Sequence, residues 1–168
     1  MPPSNGPTDR QNRHGFDETK SPIAAAVGKF VPQSVVRRCL SVTVETDREA
    51  YERGDPVELT VTIANSLPLP VEVETETRRL WGWTVDGELD ASDERVYVGD
   101  ATGTLTFRAK ERKVLSTTWD GRFKRVGGVG DDGRTRWVEP EPGVHEIGAF
   151  VPVPGANPSD SVEIRIER

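Results

Sequence analysis

The stretch RGDPVELTVTIANSLPLPVEVET, residues 53–75, alternates apolar and polar side chains from Val57 to Ala64, halts at Asn65, passes Pro68 and Pro70, and resumes at Val71. A period of two sends successive side chains to opposite faces of an extended chain. Val57, Leu59, Val61 and Ile63 therefore share one face, and Glu58, Thr60 and Thr62 the other. A strand that is apolar on one side needs a second layer to cover it. Burial of each of these aliphatic side chains is worth about 1.5–3 kcal/mol before entropy, so Leu59 and Val61 are expected at the core. The pause holds turn-forming residues and two prolines without an N–H donor, which break a ladder. It reads as a strand-to-strand connection in an antiparallel sheet.

The same period recurs in Leu40, Val42 and Val44, and in Val71 and Val73, whose alternates Glu72, Glu74 and Glu76 form an acidic face. Shorter strand signals follow at 80–87, 95–98, 104–109, 113–119, 145–151 and 161–167, separated by Gly, Pro and Asp clusters. No helical period appears beyond residue 40. These features predict an all-β fold, an immunoglobulin-like antiparallel β-sandwich, with a closed barrel as the other arrangement open to such strands. Residues 1–20 mix Pro, Gly, Asn and charge with little to bury, so a disordered N-terminal tail is expected. Residues 22–38 read as a short weak helix or a linker, which divides the chain into a basic tail, 1–39, and a sandwich domain, 40–168.

Charge separates the same two parts. Residues 1–39 carry six basic and three acidic side chains, net +3, and the remainder of the −6 total is −9. An acidic domain repels phosphates and anionic membranes, so neither nucleic acid nor membrane is an expected partner. Seventeen Arg against five Lys, with the Glu, Asp, Thr and Val bias, matches a haloarchaeal, salt-adapted composition. No stretch reaches the length of a membrane-spanning helix. The pair Arg37 and Arg38 is followed by CLSVTVETDRE where twin-arginine export needs an apolar run. The single Cys39 excludes an internal disulfide and favours a reducing, cytoplasmic setting.

Few residues offer catalytic chemistry, and no enzyme is expected. His14 falls in the tail and His145 in a strand; Cys39 has no sequence neighbour to activate it. DGELDASDE, 86–94, has five carboxylates, but Ala91 stands at the turn glycine of an EF-hand loop and Tyr97 at its bidentate Glu. It reads as a solvated turn, and no metal or cofactor is expected. RGD at 53–55 is ordinary turn chemistry. Trp81, Trp83, Trp119 and Trp137 hold most of the aromatic mass, and an exposed Trp among them would mark a protein interface.

The longest Gly-rich stretch inside the domain is KRVGGVGDDGRTR, 124–136. Its residues Val126, Asp131, Asp132, Arg134 and Arg136, with Pro140 and Gly143 flanking, form the candidate partner-binding loop, and Arg134 or Arg136 is the natural anchor. Tyr51, Gly54, Asn65 and Trp119 are candidate structural residues. Tyr51 and Asn65 bracket the first hairpin, and Trp119 plugs the core.

The order YERGDPVELTVTIANS at 51–66, PVEVET at 70–75, a strand ending in VDG at 85–87, LTFRAKERKVLSTTWDG at 105–121 and PEPGVHEIGAFV at 140–151 resembles the BsuPI family of intracellular proteinase inhibitor domains. His145 replaces the Tyr of that family's Pro-Gly turn. The resemblance implies an Ig-like sandwich that inhibits a serine proteinase by occluding its cleft with a loop. A protein-binding module, monomeric or weakly dimeric, is the expectation. A structural or cell-surface Ig-like interaction domain is the alternative.

Overall fold

A computed structural model of the chain describes residues 31–95, 99, 101–127 and 133–168. The expected disordered residues 1–20, His14, residues 96–98 of the expected strand at 95–98, and Asp131 and Asp132 lie outside the described residues.

The architecture is all-β with one short helix, α1 (Gln33–Cys39), which begins directly after Pro32. Proline is tolerated at a helix start because the first N–H groups have no intrahelical acceptor to lose. Val36 of α1 is buried in the core. The strands are β1 (Leu40–Thr46), β2 (Ala50–Tyr51), β3 (Val57–Asn65), β4 (Val71–Thr75), β5 (Gly82–Val85), β6 (Glu88–Leu89), β7 (Gly103–Phe107), β8 (Arg112–Trp119), β9 (Phe123–Arg125), β10 (Arg136–Val138), β11 (Gly143–Phe150) and β12 (Ser159–Ile166).

Two principal sheets, ordered β1-β3-β8 and β2-β12-β11-β5-β6, form a sandwich rather than a closed barrel. Every pairing in them is antiparallel except β2 with β12, which is parallel. The alternation of β3 becomes its burial pattern: Val57, Leu59, Val61 and Ile63 are buried. They share one core with Val42 and Val44 of β1, Val85 of β5, Ile147 and Ala149 of β11, and Ile164 and Ile166 of β12. Trp119 lies in this core, its indole N–H donating to the Arg122 carbonyl at 2.8 Å and its ring 5.5 Å from that of Phe123.

The pause at 65–70 is a kink, where a connection between neighbouring strands was expected. β3 pairs with β8 and β4 pairs with β7, so the two arms run on as one bent antiparallel ribbon. Seven residue steps from Ala64 to Val71 face five from Phe107 to Arg112, leaving two extra residues on the proline-bearing side. Buried Asn65 fills the break. Its amide donates to the carbonyls of Leu69 at 2.9 Å and Arg108 at 3.0 Å, and its side-chain oxygen accepts from the Leu67 N–H at 2.9 Å. A side chain has replaced the missing ladder bonds.

Asp47 secures the opposite end of the β1–β3 hairpin. Its carboxylate accepts from the Tyr51 hydroxyl at 2.7 Å, the Glu58 N–H at 3.0 Å and Arg48 Nε at 3.2 Å. These donors, the Tyr51 hydroxyl foremost, hold the carboxyl below the ordinary aspartate value. A lowered folded-state pKa contributes stability that is complete above the unfolded value and is lost as pH falls through the folded one. Asp47→Ala is therefore expected to be less stable than the parent near neutrality, with the gap closing as the pH drops below 3.8 in urea titrations.

Candidate functional site

Strands β9 and β10 pair with each other as a separate two-stranded sheet, with Arg136 opposite Arg125, Trp137 opposite Lys124 and Val138 opposite Phe123, and Lys124 also forms a parallel bridge with Ser92. They make a two-stranded ribbon. Two strands of three residues would not stay ordered on their own. The turn 86–94 supplies the support. Its carboxylates stay largely solvent-exposed, as expected of a solvated turn, and are also engaged by basic and N–H groups. Glu88 pairs with Arg125, Glu94 pairs with Lys124, and Asp93 accepts from the Val126 N–H at 2.7 Å. The Lys124 N–H donates to the Ala91 carbonyl at 2.9 Å. Glu88 holds the Arg125 guanidinium above its ordinary pKa, chiefly through their hydrogen bond. The ion pair also offsets the repulsion of Arg125 and Arg136 across the ribbon.

Two further carboxylates of that turn are held elsewhere. Asp90 binds Arg79 through two bonds, of 2.7 and 3.0 Å. Asp86 accepts from the Glu146 N–H at 2.9 Å and lies 2.7 Å from Nδ1 of His145, whose Nε2 is 2.7 Å from the Glu141 carbonyl. His145 is thus a tie between two turns, with both ring nitrogens facing acceptors. Among the described residues no group of three or more His, Cys, Asp or Glu is arranged to hold a metal ion.

The ribbon carries exposed apolar and cationic side chains that alternate between its two faces along β10. Trp137 is 56% exposed, Val138 47% and Val126 39%, with Arg134 and Arg136 also exposed. Pro140 is buried, and its carbonyl accepts from Arg53 Nε at 3.0 Å, so it fastens the ribbon's exit where the sequence placed it in the contact loop. Gly143 opens β11 at a φ of +151°. Gly54, at a φ of +79°, sits under the Glu139 side chain, so the RGD turn also supports the ribbon. Trp81 and Trp83 are half-buried, lining an open groove of about 340 Å³ with Arg79, Leu80 and Thr117. Composition grouped Trp137 with the other tryptophans. Its place in RWVEP, among charged residues and proline, was the available signal that it lies outside the core.

A model for a family of unknown function, DUF7974, matches residues 28–167. The chain belongs to that family. No curated protein matches this DUF7974 chain. Among solved structures it is similar to the CARDB domain of PF1109 from Pyrococcus furiosus, at 16% identity over 76% of this chain and 94% of that one, with a TM-score of 0.45. It is also similar to a β-glucosidase from Listeria innocua in complex with isofagomine, at 14% identity, 76% of this chain, 16% of that chain and a TM-score of 0.45. The β-glucosidase EmGH1 from Erythrobacter marinus gives 13% identity, 76% of this chain, 15% of that chain and a TM-score of 0.45. The DUF7974 chain thus spans less than a fifth of either glucosidase, and these likenesses are of fold alone. Among the described residues no helix is long and apolar enough to cross a membrane.

Proposed function

We propose that the domain is a protein-binding module whose partner docks on the β9–β10 ribbon. The observation that carries this reading is Trp137, more than half exposed on a ribbon clamped by Glu88, Asp93 and Glu94. A large aromatic side chain gains most from being covered, and a clamped ribbon loses little freedom when covered. Arg134 adds planar, charge-assisted donors suited to carboxylates. The finer form of the reading is occlusion of a serine proteinase, in which the candidate loop from Val126 to Arg136 is accepted by the partner's cleft. It rests on the BsuPI resemblance. No cofactor is invoked.

The test is a pull-down at high salt with the intact chain as bait, followed by affinity measurement on the recovered partner. Trp137→Ala is expected to raise Kd about 30-fold, the effect of an ordinary hot spot. Val144→Ala, which truncates an exposed residue of β11, should leave Kd unchanged. A Trp137→Ala chain that binds like the parent overturns the ribbon assignment. A partner that is a proteinase, with turnover suppressed by the parent and restored by Trp137→Ala, supports the inhibitory form.

A further inference from the structure

We propose that β8 is a dimerisation edge: two copies pair their β8 strands antiparallel about a two-fold axis through Ser116, joining two three-stranded sheets into one. The surface is separate from the ribbon, and the proposal stands whether or not the ribbon binds a partner.

Among the described residues β8 pairs with β3 alone. Every second residue of this eight-residue strand therefore directs its N–H and C=O away from the sheet. Such edges are ordinarily blunted by proline, a bulge, shortness, charged side chains, inward-pointing ones included, or a covering element, and β8 carries charge only at its first two positions, Arg112 and Lys113. RKVLSTTW contains no proline or glycine and pairs with β3 without a bulge. Its Val114, 62% exposed, is the most exposed large apolar side chain among the described residues.

The strand's own sequence selects a second copy as the occupant. Antiparallel pairing centred on Ser116 sets Arg112 opposite the partner's Asp120, Val114 opposite the partner's Thr118, and Ser116 opposite the partner's Ser116. Arg112 and Asp120, the residue just past β8 whose Oδ1 also accepts from the Arg122 N–H at 3.1 Å, are both exposed, so each dimer gains two opposed ion pairs, and no like charges meet within the strand. Moving the axis one residue to Thr117 would set Arg112 against the partner's Arg122 instead. On the inward face the same register places the partner's Leu115 opposite Thr117, which lines the groove with Trp81 and Trp83. An added strand therefore satisfies the open backbone groups and brings an aliphatic side chain to the mouth of the groove.

The register is tested by cysteine cross-linking of the full chain with Cys39 replaced by Ser. Ser116→Cys puts two thiols directly opposite each other, at a Cβ separation of about 5 Å. It is expected to give, on mild oxidation, a disulfide-linked species of twice 18.5 kDa that reductant dissolves. Val114→Cys is the more exposed thiol, but it faces the partner's Thr118 and lies about 13 Å from its own mate along the strand, so it should stay monomeric. Sedimentation equilibrium of the parent chain should show a reversible dimer, with Kd raised at least about tenfold by Arg112→Asp and restored by Arg112→Asp with Asp120→Arg. Circular dichroism confirms that each variant is folded. A parent chain that stays at 18.5 kDa up to its solubility limit overturns the proposal and leaves the edge to an extended peptide of another protein. Equal cross-linking of the two cysteine variants, or open-ended oligomers, overturns it as well.

Discussion

Val61→Asp is expected to abolish cooperative folding. Val61 is 0% exposed at the centre of β3, opposite Val44 of β1 on one side and Leu115 of β8 on the other. The substitution removes a valine whose burial is worth about 1.5–3 kcal/mol. It also leaves an isolated carboxylate in the core, which costs at least about 3 kcal/mol more. A single domain is usually stable by about 5–15 kcal/mol, so a margin in the lower part of that range is lost entirely. Far-UV circular dichroism should show no thermal transition, and Thr62→Asp, on the half-buried outer side of the same strand, should still melt cooperatively. A cooperative melt for Val61→Asp within a few degrees of the parent would show that this face is not the core.

Gly121→Ala should rank next. Gly121 has a φ of +70°, and a Cβ there would lie 2.3 Å from the Asp55 carbonyl oxygen and 2.9 Å from the Gly54 carbonyl carbon. Both are backbone atoms, so no side chain can swing aside. The left-handed conformation alone costs about 1–2 kcal/mol in a residue with a Cβ, and the overlap adds about 1–3 kcal/mol as the two turns are forced apart. Gly87→Ala is the matched control: its φ is +80° and nothing lies within 4 Å of its Cβ, so it carries only the conformational part. Urea unfolding should therefore separate the two variants, and equal losses would mean that the 53–55 and 119–122 turns are not packed together. Because Gly54 also lies under Glu139, Gly121→Ala should loosen the ribbon exit as well as the fold.

What could be read ahead of the structure follows from how many residues each element uses. The eight alternating positions of β3 and the three aliphatics of β1 carry a period, and both strands stand where that period puts them. Strands β2, β6, β9 and β10 have two or three residues each, too few for any period to show. The pause at 65–70 was legible as a break but not as a kink. Asn and Pro interrupt a ladder equally whether the chain then reverses or continues, and the deciding bond runs from Asn65 to Arg108, 43 residues away. The turn 86–94 read only as solvated because its counterions are distant: Arg125 is 37 residues from Glu88, and His145 is 59 from Asp86. The candidate loop was legible from its glycines. Trp137 was visible only as composition, since exposure depends on how the ribbon lies against its support.

Strand β12 is the last described strand, yet it lies between β2 and β11, and its Asp160 accepts a bond from the Val44 N–H of β1 at 2.9 Å. During vectorial synthesis the β1–β3 hairpin emerges more than ninety residues before that strand, and until then its aliphatic face lacks the cover of Ile164 and Ile166. A ribosome-bound chain stalled before Ser159 therefore holds an unfinished second layer, which makes this stage of biogenesis the one most in need of a chaperone.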